Sequence, residues 1–188
     1  GEMLKELQHE CFSLVHMPDT STVWSGGIGC IKIYSLPTME LTRELVTTER
    51  DVFTVMGIVG NRVWCANSEQ TLFVWNSQTY LLVREIPQAH RRKINSIVQA
   101  YNGFVWTASD DQTIKVWNPK TFELVKKIEK HTNNVCGLTD FHGFTWSYGF
   151  DKTILVWDSD SYKLCREIHG HHTEAVAAVA AVYTPQGW

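Results

Sequence analysis

Tryptophan and tyrosine residues recur along this chain at a nearly constant interval. One series, with spacings of 40, 42 and 40 residues, is Trp24, Trp64, Trp106 and Trp146. A second series, with spacings of 41, 42 and 40 residues, is Tyr34, Trp75, Trp117 and Trp157. A period of about 20 to 50 residues is the signature of a repeat architecture, in which each copy is one supersecondary unit. The sequence therefore predicts four copies of one unit.

A third block keeps the same register in every copy. Its four versions read MELTREL, YLLVREI, FELVKKI and YKLCREI, and they begin at Met39, Tyr80, Phe122 and Tyr162. Three separate blocks that hold one period are not a chance similarity, so the repeat covers most of the chain.

Each unit is predicted to contain four antiparallel strands. In the third unit, runs rich in Val, Ile, Thr and aromatic residues are bounded by turn residues, which is typical of strands. These runs are 94–101, 104–109, 113–118 and 122–128. Asn102-Gly103 predicts a two-residue hairpin, since both positions of that turn take a positive φ, and His142-Gly143 and Gly60-Asn61 stand at the equivalent places. Runs this short leave no room for helices.

Composition excludes several classes of protein. The chain has 188 residues, of which 44% are hydrophobic and 20% charged, and a net charge of −3. This balance favours a packed core over disorder, and it gives no reason to expect nucleic acid, whose binders carry a strongly basic face. The longest apolar run, 175–183, is shorter than the ~20 residues that cross a bilayer, so no transmembrane segment is predicted.

The five cysteines indicate a reducing compartment. They have no CxxC spacing, and an odd number cannot form a complete disulfide framework. No secretory signal is recognisable at the N-terminus. We therefore expect an intracellular, cytoplasmic protein.

The repeat resembles the WD40 repeat, whose period is about 40 to 45 residues and whose signature dipeptides are Gly-His and Trp-Asp. The matches are Gly170-His171 and Trp157-Asp158, with Ala89-His90, Lys130-His131 and Trp117-Asn118 as weaker forms. The resemblance implies an all-β fold, a WD40-type β-propeller segment of four four-stranded antiparallel blades, within a ring of about seven. On this reading the whole chain is a single partial propeller, with blades at 9–47, 48–89, 90–130 and 131–171.

The C-terminal stretch, 172–188, predicts the start of a fifth blade. His172 stands four residues before Val176, as His131 stands before Val135, and Trp188 follows at the repeat spacing. An open arc exposes a strand edge and a blade face. We therefore expect the remaining blades in the same longer chain or in a second copy, or else a four-bladed closure that uses the N-terminal CFSLVHM.

The resemblance also implies a buried hydrogen-bond network within a blade, formed by a His, a Ser or Thr, an Asp and a Trp. Carried over by position, the third unit supplies His90, Thr107, Asp111 and Trp117, and the fourth supplies His131, Ser147, Asp151 and Trp157. The physical logic holds without the family, because a buried indole N–H needs an acceptor and a carboxylate orients an imidazole. The same residue types suit nucleophilic catalysis, but that chemistry needs an exposed nucleophile, so a structural role is favoured.

Two units depart from this pattern. The second has Thr48, Cys65 and Glu69 where the network requires His, Ser and Asp, and it keeps only Trp75. The first keeps His9 and Ser25 but has a shortened GGIGC turn and Tyr34. Both blades are therefore expected to have fewer buried side-chain hydrogen bonds between their strands.

Candidate binding residues lie in the loops and turns that share one face in this family. They are Ser68, Arg91, Arg92, Lys93, Asp110, Asn133, Asn134 and Phe150. Arg and Phe suit contact hot spots. The HRRK stretch is either a solvated loop or a partner-binding patch, and a phosphoinositide site is a weaker interpretation. The HGHH stretch, 169–172, is better explained by the repeat signature than by a metal site, and no cofactor is indicated.

The predicted function is a non-catalytic protein–protein interaction scaffold, the WD40 module of a larger signalling or regulatory protein. The tandem VW strands are similar to WD40 regions of certain inositol polyphosphate phosphatases and Rho exchange factors. The alternative is a targeting module of a multidomain enzyme such as a phosphoinositide phosphatase, an exchange factor or a ubiquitin ligase. A propeller active site is disfavoured, because Asp140 is the only carboxylate on the inner-strand runs FTVMGI, NSIVQA and CGLTDF.

Overall fold

The computed structural model describes residues 10–48, 51–170 and 172–180 and contains four four-stranded antiparallel sheets. In the first two blades the strands are β1 (Ser13–Met17), β2 (Thr22–Gly26), β3 (Cys30–Ser35), β4 (Leu41–Val46), β5 (Phe53–Val59), β6 (Arg62–Asn67), β7 (Leu72–Asn76) and β8 (Leu82–Ile86). In the next two they are β9 (Ile94–Gln99), β10 (Val105–Ser109), β11 (Ile114–Trp117), β12 (Leu124–Ile128), β13 (Val135–Phe141), β14 (Phe144–Gly149), β15 (Ile154–Asp158) and β16 (Leu164–Ile168). The predicted all-β fold of four meanders is confirmed.

The chain divides into two compact units, Gly1–Ile94 and Asn95–Trp188. Within every sheet, strands follow one another in chain order, so each blade is a simple meander joined by short turns. Outer strands β4, β8, β12 and β16 are largely exposed, and each carries two consecutive charged residues, Arg-Glu or Lys-Lys. Charged side chains along an edge strand discourage pairing with other chains.

The core of the first unit lies between its two sheets. Trp24 is fully buried and contacts the ring of Tyr80, with centroids 5.9 Å apart. Within the second sheet, Phe53 and Phe73 meet edge to face, with centroids 5.6 Å apart. Each sheet has too little area to bury both its own faces, and the Trp24–Tyr80 contact joins the two sheets so that one face of each is buried against the other.

The second unit repeats this arrangement. Trp106 is fully buried and contacts Tyr162 at 5.9 Å between centroids, and Phe104 approaches the same tyrosine at 6.3 Å. The tryptophan of one blade and the tyrosine of the next therefore occupy the same places as Trp24 and Tyr80. This recurrence is the physical basis of the sequence period.

The residue that opens the third sequence block has a left-handed backbone in every copy. Its φ is +54° at Met39, +62° at Tyr80, +63° at Phe122 and +58° at Tyr162. A bulky residue is rarely found there, because its Cβ crowds the following carbonyl. At Tyr80 and Tyr162 the unusual backbone directs the ring onto the tryptophan of the preceding blade.

The predicted hairpin turns are only partly right. His142 and Gly143 both have positive φ, +50° and +83°, as the two-residue turn requires. In the third blade Gly103 has φ +85°, but Asn102 does not join it in the left-handed region. The Asn102 side chain instead accepts the Phe104 N–H and donates to Ser159 O in the fourth blade. These contacts, one of them with another blade, determine the backbone conformation of the turn.

Residues 172–180 form no strand, but they make a backbone hydrogen bond to the fourth blade that matches the one by which the second blade joins the first. Val176 is buried and its N–H donates to Gly149 O at 3.1 Å. In the first unit, Phe53 N–H donates to Gly27 O at 3.0 Å in the same manner. The rest of the predicted fifth blade, including Trp188, lies outside the described residues.

Replacement of Gly26 by alanine tests how closely the first two sheets pack. A Cβ at this position would lie 2.9 Å from Phe53 Cβ and 3.2 Å from Phe53 O. We expect Gly26→Ala to lower the free energy of unfolding by about 1–3 kcal/mol, the usual cost of overpacking. Chemical denaturation measures it. Gly60→Ala is a comparison variant without a steric clash, because nothing lies within 4 Å of its Cβ position, and it measures only the cost of a side chain at a φ of +57°, about 1–2 kcal/mol. Equal stability of Gly26→Ala and the parent would contradict this packing.

Candidate functional site

A chain of four side chains crosses the fourth blade from its interior to the β14–β15 turn. Trp157 Nε1 donates to Ser147 Oγ at 2.8 Å, and Ser147 Oγ lies 2.8 Å from His131 Nε2. His131 Nδ1 lies 2.6 Å from Asp151 Oδ2. The strands β14 and β15 position the serine and tryptophan, while the turn positions the carboxylate. The structure thus brings together all four residues predicted for this blade.

The contacts fix where each proton lies. Burial lowers the pKa of His131, despite the opposing attraction of Asp151, so the imidazole is neutral near pH 7. Its one proton then lies on Nδ1 and is donated to Asp151, leaving Nε2 to accept the Ser147 hydroxyl. Ser147 in turn accepts the indole N–H. Each donor has one acceptor, which is the condition under which a buried polar network stabilises a fold.

The Asp151 carboxylate also closes the adjacent turn. Its Oδ1 accepts the Thr153 hydroxyl at 2.8 Å, and its Oδ2 accepts the Thr132 N–H at 3.0 Å. Burial acts to raise the pKa of Asp151, but the Thr153 hydrogen bond and the His131 contacts outweigh it and hold the pKa below its usual value. Asp151 is therefore ionised and shared between strand, turn and loop.

The Ser147–His131–Asp151 order is also that of a nucleophilic triad. Catalysis by such a set requires the hydroxyl to reach a substrate. Ser147 has no exposed surface, and its oxygen already accepts the Trp157 indole. The arrangement holds the blade together and leaves no access for an acyl group.

The third blade shows related contacts within the second unit. Trp117 Nε1 donates to Thr107 Oγ1 at 2.9 Å. Asp111 Oδ1 accepts both the hydroxyl and the N–H of Thr113, at 2.6 and 3.0 Å. His90, the fourth residue predicted for this set, is buried and belongs to the first unit.

The second blade carries a polar set that the sequence analysis missed. Asp51 is buried and accepts hydrogen bonds from the Thr48 hydroxyl at 2.9 Å and the Asn67 amide at 2.5 Å. Burial acts to raise the pKa of Asp51, but these hydrogen bonds hold it below its usual value. The carboxylate comes three residues after the position of the repeat histidine, so matching by position alone could not find it.

A cysteine replaces the hydroxyl of this blade. Cys65 is fully buried, and its thiol donates weakly to Phe73 O at 3.7 Å. The Trp75 indole N–H has no oxygen or nitrogen acceptor among the described residues. Burial raises the pKa of the Cys65 thiol, so it is an inert core residue.

Asp140, considered above only as a possible catalytic acid, joins the third and fourth blades. Its Oδ2 accepts the Tyr101 N–H at 2.9 Å, and its Oδ1 accepts the Thr145 and Ser159 hydroxyls at 3.0 and 3.1 Å. Asn102 adds a second link to Ser159 O. These hydrogen bonds occupy both oxygens of the carboxylate, so Asp140 stabilises the contact between the third and fourth blades.

The predicted binding residues lie at loops and turns. In the first unit, Ser68 is half-buried and Arg91, Arg92 and Lys93 are exposed. In the second unit, Asp110 and Asn134 are half-buried, while Asn133 and Phe150 are exposed. Phe150 N–H donates to Asn134 O at 2.9 Å, which places the loop beside the turn. The structure thus brings Asn134 and Phe150 together on one edge of the fourth blade.

The described residues offer no support for a metal centre or a bilayer-spanning helix. No group of three or more His, Cys, Asp or Glu side chains among them could hold a metal ion. None of their helices is long and apolar enough to cross a membrane.

Four meandering sheets, aromatic contacts between successive blades and an indole-to-carboxylate network define a WD40-type β-propeller fold. Two solved structures share it: the crystal structure of RRP9 WD40 repeats, with TM-score 0.78, and the structure of U3-55K, with TM-score 0.79. Each is 19% identical to this chain; the alignments cover 89% and 91% of it, and 53% and 55% of the other chains. The chain thus spans about half the length of the structures it matches.

The family follows from a separate comparison. Residues 7–180 match the model described as Domain of unknown function (DUF5074), so the chain belongs to that family. No curated protein matches the sequence.

Removal of the Asp151 carboxylate tests the network of the fourth blade. Asp151→Ala leaves His131 and Thr153 without their buried partner. We expect the free energy of unfolding to fall by about 1–3 kcal/mol, the usual penalty for orphaned buried groups. Urea denaturation measures the loss. Asp160→Ala, at an exposed turn of the same blade, is the matched control and should behave as the parent; an equally small effect of Asp151→Ala would remove the network from the fold's stabilising interactions.

The pH dependence of stability tests the proton assignment. The folded-state pKa of His131 lies below its usual 6.5. As the pH falls, the unfolded state therefore binds a proton at this residue before the folded state does. The contribution of His131 to the free energy of unfolding is therefore fully present above pH 6.5, and it is lost as the pH falls below that value. Asp151 adds a further loss only below its ordinary 3.8, as pH falls through its lowered folded-state pKa.

The measurement is a series of urea unfolding curves between about pH 8 and pH 5, for the parent and for His131→Gln. The parent should lose more stability than the variant on acidification. Parallel pH profiles of the two proteins would show that His131 is not the titrating group.

Proposed function

We propose that this chain is a non-catalytic module that binds other proteins through the loops and turns at one edge of its blades. One observation carries the proposal: Phe150 is 54% exposed at a turn whose carboxylate neighbour, Asp151, is fully engaged beneath it. Aromatic side chains at exposed positions supply large contact areas and are enriched in binding hot spots. The residues with catalytic chemistry are buried, whereas the exposed ones suit recognition.

The surroundings of Phe150 support recognition of a protein. The side-chain amide nitrogens of Asn133 and Asn134 make no hydrogen bond among the described residues, and both residues flank the Phe150 backbone contact. An apolar centre with unused polar groups beside it matches the usual anatomy of a protein interface.

The wider context is also proposed. In this proposal the blades are 9–47, 48–89, 90–130 and 131–171, with a fifth from 172, and they form one partial propeller within a larger cytoplasmic signalling or regulatory protein. The length of the matched structures supports the partial propeller, because each is nearly twice as long as the aligned region.

The exposed basic loop favours a second candidate. Arg91, Arg92 and Lys93 are consecutive and all exposed, and clustered cations attract anionic lipid headgroups. In this alternative the chain is a targeting module of a multidomain enzyme and contacts a phosphoinositide through this loop.

A capture experiment tests the main proposal. The immobilised chain is crosslinked to proteins of a cell extract, and recovered partners are quantified by mass spectrometry for the parent, Phe150→Ser and Arg91→Glu/Lys93→Glu. Phe150→Ser should reduce recovery of the specific partners about ten-fold, the effect of removing a hot-spot aromatic. Phe144→Ser is the control, since Phe144 is 41% exposed at the start of β14, whereas Phe150 follows the end of that strand. Unchanged recovery with both test variants would contradict the proposal.

Vesicle flotation separates the two candidates. Phosphatidylcholine vesicles with and without phosphatidylinositol bisphosphate are mixed with the parent and with Arg91→Glu/Lys93→Glu. Flotation that requires the bisphosphate and is lost in the double variant favours the lipid; flotation of neither protein removes the lipid candidate.

A further inference from the structure

Phe150 stands at a turn position that does not require an aromatic residue. The equivalent positions are Ser68 in the second blade and Asp110 in the third, and both adjoin turns of the same kind. The repeated turn places Gln70, Gln112 and Lys152 in the left-handed region in all three blades, so its backbone is independent of the preceding side chain. An exposed ring here adds nothing to the turn and loses apolar contact with the protein.

Among the described residues, none makes a ring-stacking or cation contact with Phe150. The adjacent cation, Lys152, directs its ammonium to Thr173 O instead. The ring face is therefore available to an external group.

Two carboxylates lie near this turn. Asp151 is part of the turn itself, and Asp110 accepts the Asn95 amide, which also donates to Val135 O, next to the Asn134 carbonyl that accepts the Phe150 N–H. Their negative charges, after burial, raise the pKa of the Cys136 thiol at the β-bulge of β13.

Asp110 is held in place by one oxygen, and its other carboxylate oxygen makes no hydrogen bond within the part of the chain that the structure describes. Its Oδ1 accepts the Asn95 amide at 2.7 Å, and the same amide nitrogen donates to Val135 O at 2.9 Å. Among the described residues no ion pair includes Asp110. Asp151, by contrast, is fully engaged with His131, Thr132 and Thr153. Asp110 is the carboxylate available to a ligand.

We infer that Asp110, Asn133, Asn134 and Phe150, hereafter the Phe150 patch, bind an arginine or lysine side chain of a partner protein. The cation lies over the ring face, as cations do on aromatic rings in proteins, and Asp110 supplies the opposing charge. The Asn133 and Asn134 amides hydrogen-bond the backbone around the bound side chain. This inference rests on the proposed function and adds the chemistry of the partner.

Charge complementarity selects this ligand over the alternatives. An acidic segment would meet the field of Asp110 and Asp151 and be repelled. A purely apolar segment could cover the ring but would leave the Asp110 oxygen desolvated without a partner, which costs free energy. A basic side chain satisfies both the ring and the carboxylate.

Selection from displayed random short peptides tests the inference. Peptides are enriched on the parent chain and depleted on Phe150→Ser, so that only binders that depend on the patch remain. We expect the survivors to carry a conserved Arg or Lys. Replacing that residue by citrulline, which is close to arginine in shape but neutral, should weaken binding at least about five-fold in fluorescence anisotropy.

Two protein variants complete the test. Asp110→Asn retains an acceptor for Asn95 and should weaken the same peptide about two- to five-fold, with a smaller salt dependence. Phe144→Ser should leave binding unchanged. Thermal unfolding of each variant checks that the fold is intact.

The outcomes separate the inference from the proposed function. Survivors that are acidic or uncharged, or that bind equally well with citrulline, would overturn the cation site while leaving a protein-binding patch at Phe150. If no peptide depends on Phe150 and capture of proteins is also unchanged by Phe150→Ser, both proposals fail.

Discussion

A four-stranded sheet of this size cannot bury both of its faces by itself. The rest of the structure depends on how the exposed apolar faces are covered by neighbouring blades. Successive blades within each unit bury one face against another, through Trp24 and Tyr80 in the first unit and Trp106 and Tyr162 in the second. The regular spacing of aromatic residues along the sequence arises from these contacts. Because each contact joins one blade to the next, stability in such repeats arises from neighbouring interfaces as well as from each sheet.

Polar groups inside the blades are satisfied in different ways. The fourth blade uses the Trp157, Ser147, His131 and Asp151 series, whereas the second relies on Asp51 with Thr48 and Asn67. Both solutions keep a buried carboxylate ionised by surrounding it with donors, as the lowered pKa values of Asp51 and Asp151 indicate. The sheet thus tolerates exchange of the donors that surround its carboxylate, although in the second blade the Trp75 indole N–H has no oxygen or nitrogen acceptor among the described residues.

Much of the fold could be predicted because it depends on local pattern. In the third blade, the predicted run 104–109 is observed as Val105–Ser109, and 122–128 as Leu124–Ile128. The four-residue set of the fourth blade could be located by position, since strand register fixes which side chains face inward. Prediction failed where contacts join residues distant in sequence. Neither Asp140 bonding to Tyr101 nor the conformation of Asn102 follows from any local signal.

The left-handed backbone at Tyr80 and Tyr162 has a consequence for how the blades assemble. Met39 and Phe122 share this conformation, and in all four copies the residue's backbone N–H donates to the carbonyl four residues earlier. The turn is therefore closed within each blade, and it presents the tyrosine ring to the tryptophan of the preceding blade. A ring held in place by its own turn loses less conformational entropy when the two blades pack, so the turn lowers the cost of forming the interface.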